Sequence, residues 1–204
     1  MIGSTAGMPL NFMKIIDDTT IQLDRELSDL DLFVLDFVKI LEKHAFYVLI
    51  SGYVAILFGR TRTTEDVDLF IERISEEKAK VLYNHLIKHG FWALNASSGK
   101  DLFEAIVKEK IAVRFAYQGK SIPNIELKCV KDLLDAVALQ DRIKVKTLGG
   151  DLWISNIPLQ VAYKRFVLGS KKDLEDAQHL QKLFKVPEEE INQQRRILHQ
   201  HGRC

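Results

Sequence analysis

Short stretches of alternating or continuous apolar residues predict strands along most of this chain. Positions 67–72 alternate apolar and polar side chains, as a strand with one buried face does, and 47–50 form a short apolar run. Between them, 52–58 is predicted to be a short apolar helix. Further strands are predicted at 91–94, 111–117, 124–129, 143–145 and 152–154, of which the second and third are expected to form a hairpin. Strands that alternate with helices in this way indicate an α/β (α+β) fold with a mixed sheet.

The longer helices are predicted from amphipathic spacing and from residues that favour helix ends. One helix is expected to reach about residue 44, a second covers 75–90 and a third covers 132–140, while 101–108 is ambiguous between a short helix and other structure. From residue 158 onward the chain turns helical. The residues expected to start or stop these helices are Ser28, Ser75, Gly90, Pro158, Gly169, Ser170 and Pro187.

These elements divide the chain into two segments. We assign 1–157 to a core that contains the sheet, preceded by a loose N-terminal arm over 1–12, and 158–204 to a helical segment packed on that core. A chain of 204 residues is long enough to bury a substantial hydrophobic core.

Composition is that of an ordinary globular protein, with 47% hydrophobic and 28% charged residues. The formal net charge of +1 gives no general attraction for polyanions, so any contact with nucleic acid requires a local basic patch. The two cysteines, Cys129 and Cys204, are far apart in sequence, which favours a reducing, cytoplasmic setting. The longest apolar run, 46–59, is too short to span a membrane, and the first residues do not resemble a signal peptide.

Asp66 and Asp68 are the residues that first suggest a chemical function. They occupy alternate positions of a predicted strand, so their side chains point to the same face of the sheet. Two adjacent carboxylates repel each other unless a cation lies between them. Hard oxygen ligands of this kind suit Mg²⁺, which completes its shell with water and substrate phosphates. The pair therefore predicts a magnesium site.

Upstream of these carboxylates, the sequence predicts a site for phosphate. The turn at Ser51 and Gly52 offers backbone N–H groups at the start of a helix, where phosphates bind. The loop that follows this helix contains Arg62 and Thr64, and a guanidinium group matches phosphate oxygens in geometry. One loop therefore joins a phosphate site to a metal site, which favours nucleotidyl transfer.

This arrangement resembles the nucleotidyltransferase superfamily, which has the DNA polymerase beta-like fold. The spacing is similar to that of the branch containing abortive-infection and type IV toxin–antitoxin nucleotidyltransferases and their uncharacterised bacterial and archaeal relatives. In the superfamily, glycine is usually the first residue of the turn that precedes the short helix, whereas this chain has Ser51 first and Gly52 second. The resemblance implies transfer from a nucleoside triphosphate with two Mg²⁺ ions, or Mn²⁺ in their place. The residues that carry it are Ser51, Gly52, Gly59, Arg62, Thr64, Asp66 and Asp68.

In the superfamily, a third acidic residue lies on a later strand, and two alignments compete for its position here. Glu126, on the predicted strand 124–129, is the favoured candidate. The rival alignment places the position at Ala116, in which case the third ligand is missing. Glu126 is also open to a plain structural interpretation, as a strand residue at the surface that pairs with Lys128.

The C-terminal segment contains a second region similar to the same family. The resemblance implies that Lys164 contacts a nucleotide phosphate and that Asp173 or Asp176 lies near the site. Asp173 and Asp176 are three residues apart and so share one helix face. Ser170 and Asp173 also have the spacing of a helix capping box, which would explain Asp173 without a functional role.

Taken together, the sequence predicts a nucleotidyltransferase whose acceptor hydroxyl, on RNA, protein or a small molecule, is left open. The resemblance also implies a toxin–antitoxin or defence role with a cognate protein partner. The alternative is a non-catalytic module on the same fold that binds a partner or RNA. A Glu126 side chain that points away from Asp66 and Asp68 would favour this alternative.

Overall fold

A computed structural model describes residues 12–202, in which nine strands form one mixed sheet. The strands are β1 (Met13–Asp17), β2 (Thr20–Leu23), β3 (Tyr47–Leu49), β4 (Asp66–Ile71), β5 (Phe91–Ala93), β6 (Val113–Tyr117), β7 (Asn124–Cys129), β8 (Ile143–Thr147) and β9 (Gly150–Ile154). The order across the sheet is β1-β2-β8-β9-β3-β4-β7-β6-β5. Three neighbouring pairs, β2–β8, β9–β3 and β4–β7, are parallel, and the other pairs are antiparallel. The mixed α/β architecture predicted from the sequence is confirmed.

Helices flank the sheet, and several begin at the predicted capping residues. The side chains of Ser28, Ser75 and Ser170 each accept a hydrogen bond from a backbone N–H in the first helical turn. The helices are α1 (Asp29–Leu41), α2 (Gly52–Leu57), α3 (Glu76–Lys88), α4 (Gly99–Phe103), α5 (Leu133–Gln140), α6 (Ile157–Tyr163), α7 (Lys171–Phe184) and α8 (Glu188–Gln200). Short π-helical segments, Glu104–Glu109 and Lys164–Leu168, continue α4 and α6.

The hairpin of β1 and β2 at the edge of the sheet was not predicted. Ile21 and Leu23 in β2 are buried, while β1 is largely exposed. β2 is only four residues long and pairs in parallel with β8, which is distant in sequence, so the local pattern carries little signal. Most of the predicted N-terminal arm, 1–11, lies outside the described residues.

The two faces of the central strand β4 have different environments. Val67, Leu69 and Ile71 are fully buried, whereas Asp66 and Asp68 are only partly buried. On the core side, rings from α1 pack against rings of β5 and β6. Within 12–202, no helix combines the length and apolar character needed to cross a membrane.

Candidate nucleotide site

The parallel pairing of β4 and β7 determines which carboxylates come together. Asp68 is the direct partner of Glu126, and Asp66 is the partner of Asn124. Because side chains alternate along both strands, Asp66, Asp68 and Glu126 share one face of the sheet. The side chains of Asp68 and Glu126 are 23% and 15% exposed. Glu126 therefore lies beside Asp68 and does not point away from it.

The rival position, Ala116, lies on β6 and is fully buried. Its strand contributes Arg114 to the face that carries the acids, because Arg114 is the cross-strand partner of Glu126. A methyl group at Ala116 can ligate nothing, so Glu126 is the only one of the two candidates that offers a carboxylate.

Basic side chains contact two of the three carboxylates. The Lys128 ammonium donates to Asp68 Oδ1 and lies 2.9 Å from Glu126 Oε2, while Arg114 donates to Glu126 Oε1 at 2.8 and 2.9 Å. Burial, the largest single effect, raises the pKa of Glu126, but the hydrogen bonds from Lys128 and Arg114 outweigh it and lower that pKa. The pairing of Glu126 with Lys128, which the sequence offered as a plain structural role for Glu126, is therefore also observed.

Asp66 is held by neutral groups. Asn124 Nδ2 donates to Asp66 Oδ1 at 2.8 Å, and the Thr64 hydroxyl donates to the Asp66 carbonyl oxygen at 2.8 Å. Thr64, a predicted nucleotide-binding residue, thus stabilises the start of β4 through a backbone contact.

The donor set fits Mg²⁺ in part. Within 12–202, no three His, Cys, Asp or Glu side chains converge closely enough to hold a metal ion. Asp66 and Asp68 nevertheless offer hard oxygen ligands on a partly exposed face, and Mg²⁺ needs only one or two carboxylates from a protein. The cation now beside Asp68 is the Lys128 ammonium, whose side chain is 31% exposed. The pair therefore fits the ion, and Glu126 fits it only if its basic partners move.

The turn before α2 has an unusual backbone. Ser51 adopts φ 64° and ψ −136°, a region that glycine tolerates and other residues rarely occupy. Glycine is favoured at position 52 for a different reason, because a Cβ atom there would lie only 3.1–3.2 Å from the Arg62 guanidinium atoms. Arg62, predicted to contact substrate, is thus packed directly against the turn predicted to bind phosphate.

A buried ionic cluster connects this loop to the C-terminal helices. Lys164 is fully buried, and its Nζ lies 3.0 Å from Asp176 Oδ2 and 3.6 Å from Asp173 Oδ1. Arg62 Nη1 contacts the same Asp176 oxygen at 2.6 Å. Asp173 also forms the predicted cap, because its backbone N–H donates to Ser170 Oγ at 3.3 Å. Of the two aspartates that the sequence left open, Asp176 makes the closer contact with Lys164.

A cleft of about 290 Å³ lies between the carboxylates and the C-terminal helices. It is lined by the predicted residues Ser51, Asp68 and Lys164 and also by Lys128, while the other predicted site residues lie outside its lining. Sequence reasoning missed several polar residues of this lining. The position of Lys131, just past the end of a predicted strand, is a signal that could have identified it. The missed residues are Lys110, Lys131, Asp135, Ser155, Gln160 and Tyr163.

Among solved structures, the chain has distant likenesses. The chain is similar to an antigenic nucleotidyltransferase-like protein from Paracoccidioides brasiliensis, with a TM-score of 0.49 and 20% sequence identity, over 86% of this chain and 90% of that chain. No protein-family model and no curated protein matches the sequence. A likeness this distant carries no argument about family or chemistry, which must come from the residues of this chain.

Proposed function

We propose that this protein is a nucleotidyltransferase that moves a nucleoside monophosphate from a nucleoside triphosphate to an acceptor hydroxyl. The observation that supports this most strongly is the pairing of Asp68 with Glu126. Together with Asp66, it gives three carboxylates on one face of the sheet. The cleft beside Asp68 is also lined by Ser51 and Lys164, residues suited to phosphate.

In this proposal, each group has a defined task. Asp66 and Asp68 would hold Mg²⁺ or Mn²⁺, and Glu126 would act as a further ligand or as the base that accepts the acceptor's proton. The metal would supply positive charge at the phosphates and lower the pKa of the acceptor hydroxyl. The acceptor oxygen bonds to the α-phosphorus, the bond from that phosphorus to the bridging oxygen breaks, and pyrophosphate leaves.

The phosphates would be bound from the other side of the cleft. The turn at Ser51 and Gly52 offers backbone N–H groups, and Arg62 stacked on Gly52 would offset charge that develops on the α-phosphate. Lys164 has three N–H groups, and its two aspartate partners leave capacity for a phosphate oxygen. Asp173 and Thr64 would act by holding Lys164 and β4 in place.

Calorimetric titration with each nucleoside triphosphate, with and without Mg²⁺, tests this proposal. We expect binding to require Mg²⁺ and to be lost in Asp68→Asn, which should fold normally because the side chain is partly exposed. Asp18→Asn, an exposed aspartate in the β1–β2 turn, is the matched control and should bind like the wild type. Transfer of labelled nucleotide into RNA, protein or small molecules then identifies the acceptor. Full transfer activity in both Asp66→Asn and Asp68→Asn would overturn the metal assignment.

A second candidate function is a non-catalytic module that binds a partner or RNA. The observation that favours it is the contact of Lys128 with both Asp68 and Glu126, because a cation from the protein itself already balances the acids. On this proposal, nucleotide binding is absent or independent of Mg²⁺, and Asp68→Asn leaves it unchanged.

The resemblance of the motifs leads us to propose further that the protein acts in the cytoplasm, within a toxin–antitoxin or defence pair. A cognate protein partner would then bind this chain and control its activity. Co-purification of the tagged chain with the product of a neighbouring gene, and suppression of transfer by that product, is the expected result.

A further inference from the structure

A second surface combines an exposed and a partly buried aromatic ring with basic side chains. Phe46, just before β3, is 62% exposed, although it is a large apolar residue. The Arg142 guanidinium lies over the rings of both Phe46 and Trp153, at 5.1 and 4.8 Å from their centroids. Lys144 Nζ lies 4.9 Å from the Trp153 centroid. We refer to these four residues as the Phe46–Trp153 surface.

This surface borders a pocket that contains polar groups without partners. The pocket measures about 410 Å³ and is lined by Phe46, Tyr47, Arg142 and Trp153, together with residues that precede β3. Such a volume is within the range of small-ligand sites, ~300–1,000 Å³. Among the described residues, the buried Arg142 Nε has no hydrogen-bond partner, and the Tyr47 hydroxyl, near the Trp153 backbone, forms none of normal geometry. Buried polar groups are usually satisfied, so the unpartnered Arg142 Nε is unusual for the interior of a protein.

Lysines supply positive charge around this surface. Lys43 lines the pocket, and Lys146 follows Lys144 on the same face of β8. Carboxylates lie among them, because Glu42 lines the pocket, Asp151 lies 3.3 Å from Lys144, and Glu72 accepts a hydrogen bond from the Phe46 backbone N–H at 3.1 Å. The sequence requires a local patch for any contact with nucleic acid, because the net charge is only +1.

We propose that the Phe46–Trp153 surface binds single-stranded nucleic acid. An unpaired base stacks on the exposed ring of Phe46, and the adjacent phosphates contact Lys144 and Lys146. Stacking on aromatic rings combined with a basic track is the general way in which proteins bind single strands. Arg142, held by its contact with the Leu139 carbonyl oxygen at 2.7 Å, lies over the rings of Phe46 and Trp153 and supports the Phe46 ring from one side.

This site is separate from the nucleotide cleft and does not rest on the proposed transfer reaction. The cleft is lined by Ile50 and Ser51, which follow the end of β3, whereas Phe46 and Tyr47 lie at the start of that strand. Binding at the Phe46–Trp153 surface therefore requires neither nucleoside triphosphate nor Mg²⁺. It can be measured with both absent.

Fluorescence anisotropy with a labelled single-stranded RNA of about 12 nucleotides tests the proposal, since single-strand sites cover ~4–16 nucleotides. We expect Phe46→Ala to weaken binding by roughly 5- to 100-fold, as loss of one stacked base does. Lys144→Ala should weaken binding and reduce its dependence on salt.

The matched control is Trp92→Ala, which removes an aromatic residue that is 40% exposed on β5, and it should bind like the wild type. Asp68→Asn should also bind like the wild type.

Intrinsic fluorescence gives a second measurement that leaves the surface intact. The chain has two tryptophans, so Trp92→Phe leaves Trp153 as the only one. Single-stranded RNA or DNA should quench Trp153, and the polymer bound more tightly identifies the physiological ligand. Equal affinity of Phe46→Ala and the wild type, absence of quenching, equal competition by duplex, or loss of binding in Asp68→Asn alone would each overturn the proposal.

Discussion

Lys164 Nζ lies 3.0 Å from Asp176 Oδ2, and the two side chains are 1% and 0% exposed. The same oxygen accepts a hydrogen bond from Arg62, which belongs to the loop before β4. Asp176 therefore joins three parts of the chain, namely the end of α6, the helix α7 and the loop that leads to Asp66. Arg60 Nε also lies 3.5 Å from Asp176 Oδ1. Removing the carboxylate from such a buried ionic cluster strongly destabilises a protein.

Replacing Asp176 by alanine should lower the free energy of unfolding by about 3–5 kcal/mol, because the buried Lys164 keeps only its longer 3.6 Å contact with Asp173 and Arg62 loses its carboxylate partner. Urea denaturation of the variant measures this loss. Glu175→Ala is the matched control. Glu175 precedes Asp176 in the chain, but its side chain is 46% exposed and pairs with Arg60 near the surface. It should cost about 1 kcal/mol or less. Equal losses in the two variants would show that Asp176 is not the centre of the cluster.

The left-handed backbone at Ser51 leads to a second prediction. Ser51→Gly should raise the free energy of unfolding by about 1 kcal/mol. Relief of backbone strain contributes about 1–3 kcal/mol, and the greater freedom of glycine in the unfolded chain removes about 0.4–1 kcal/mol of it. Thermal unfolding of Ser51→Gly and Ser51→Ala separates this effect from loss of the hydroxyl. A gain of the same size in Ser51→Ala would contradict the explanation.

Prediction from sequence succeeded where a local pattern determines the environment of a side chain. The alternation along 67–72 was enough to place Asp66 and Asp68 on one face, and the apolar pattern of 124–129 predicted β7 to the residue. The serine residues that cap helices could also be predicted from the sequence, because capping involves only contacts within one helical turn.

Contacts between segments that are distant in sequence could not be predicted in this way. The alignment of Glu126 with Asp68 depends on the register between two strands separated by a helix and a hairpin, and a shift of one residue would turn Glu126 to the other face. The contacts of Lys128 follow from the same register. The β1–β2 hairpin was missed because its stability comes from pairing with β8, not from its own short sequence.

Asp31 gives a prediction about pH. This fully buried carboxylate caps α1 and accepts hydrogen bonds from Arg25 at 2.8 and 3.1 Å and from the Tyr53 hydroxyl at 2.9 Å. Burial, the largest single effect, raises the pKa of Asp31, but the hydrogen bonds from Arg25 and Ser28 outweigh it and lower the pKa below its ordinary value of 3.8. The stabilisation is therefore complete above the unfolded-state pKa and is lost as the pH falls through the lower folded-state pKa.

Asp31→Asn should accordingly destabilise the protein by about 3 kcal/mol at pH 7, where the wild-type carboxylate is ionised and paired. The difference between the two proteins in free energy of unfolding should begin to narrow below pH 3.8, where the unfolded wild type takes up a proton, and should narrow further as the folded carboxylate is protonated. Urea midpoints of both proteins at pH 7 and at about pH 3 give the comparison. If the two proteins differ by the same amount in free energy of unfolding at both pH values, the hydrogen bonds of Asp31 stabilise α1 and its charge does not.

The contact between Lys128 and Asp68 yields a prediction that separates the two candidate functions. The pKa of Lys128 is raised, because Asp68 and Glu126 together outweigh burial, which is the largest single effect and lowers it. The ammonium therefore stays charged and competes with any cation for Asp68. Lys128→Met removes this competitor while retaining most of the side-chain volume. Mg²⁺ should then bind about 10-fold more tightly or better in calorimetric titration, since Asp68 is left without a counter-charge while Glu126 keeps Arg114.

Lys131→Met, which removes another lysine from the lining of the same cleft, is the control and should change Mg²⁺ affinity far less. If Lys128→Met binds Mg²⁺ no better than the wild type, Asp68 is not a metal ligand. The lysine is then a permanent counter-ion of the acids, and the non-catalytic module becomes the better account of this fold. If affinity rises and Asp68→Asn abolishes the gain, the carboxylates bind the metal, and Lys128 is the side chain that has to move before nucleotide transfer can begin.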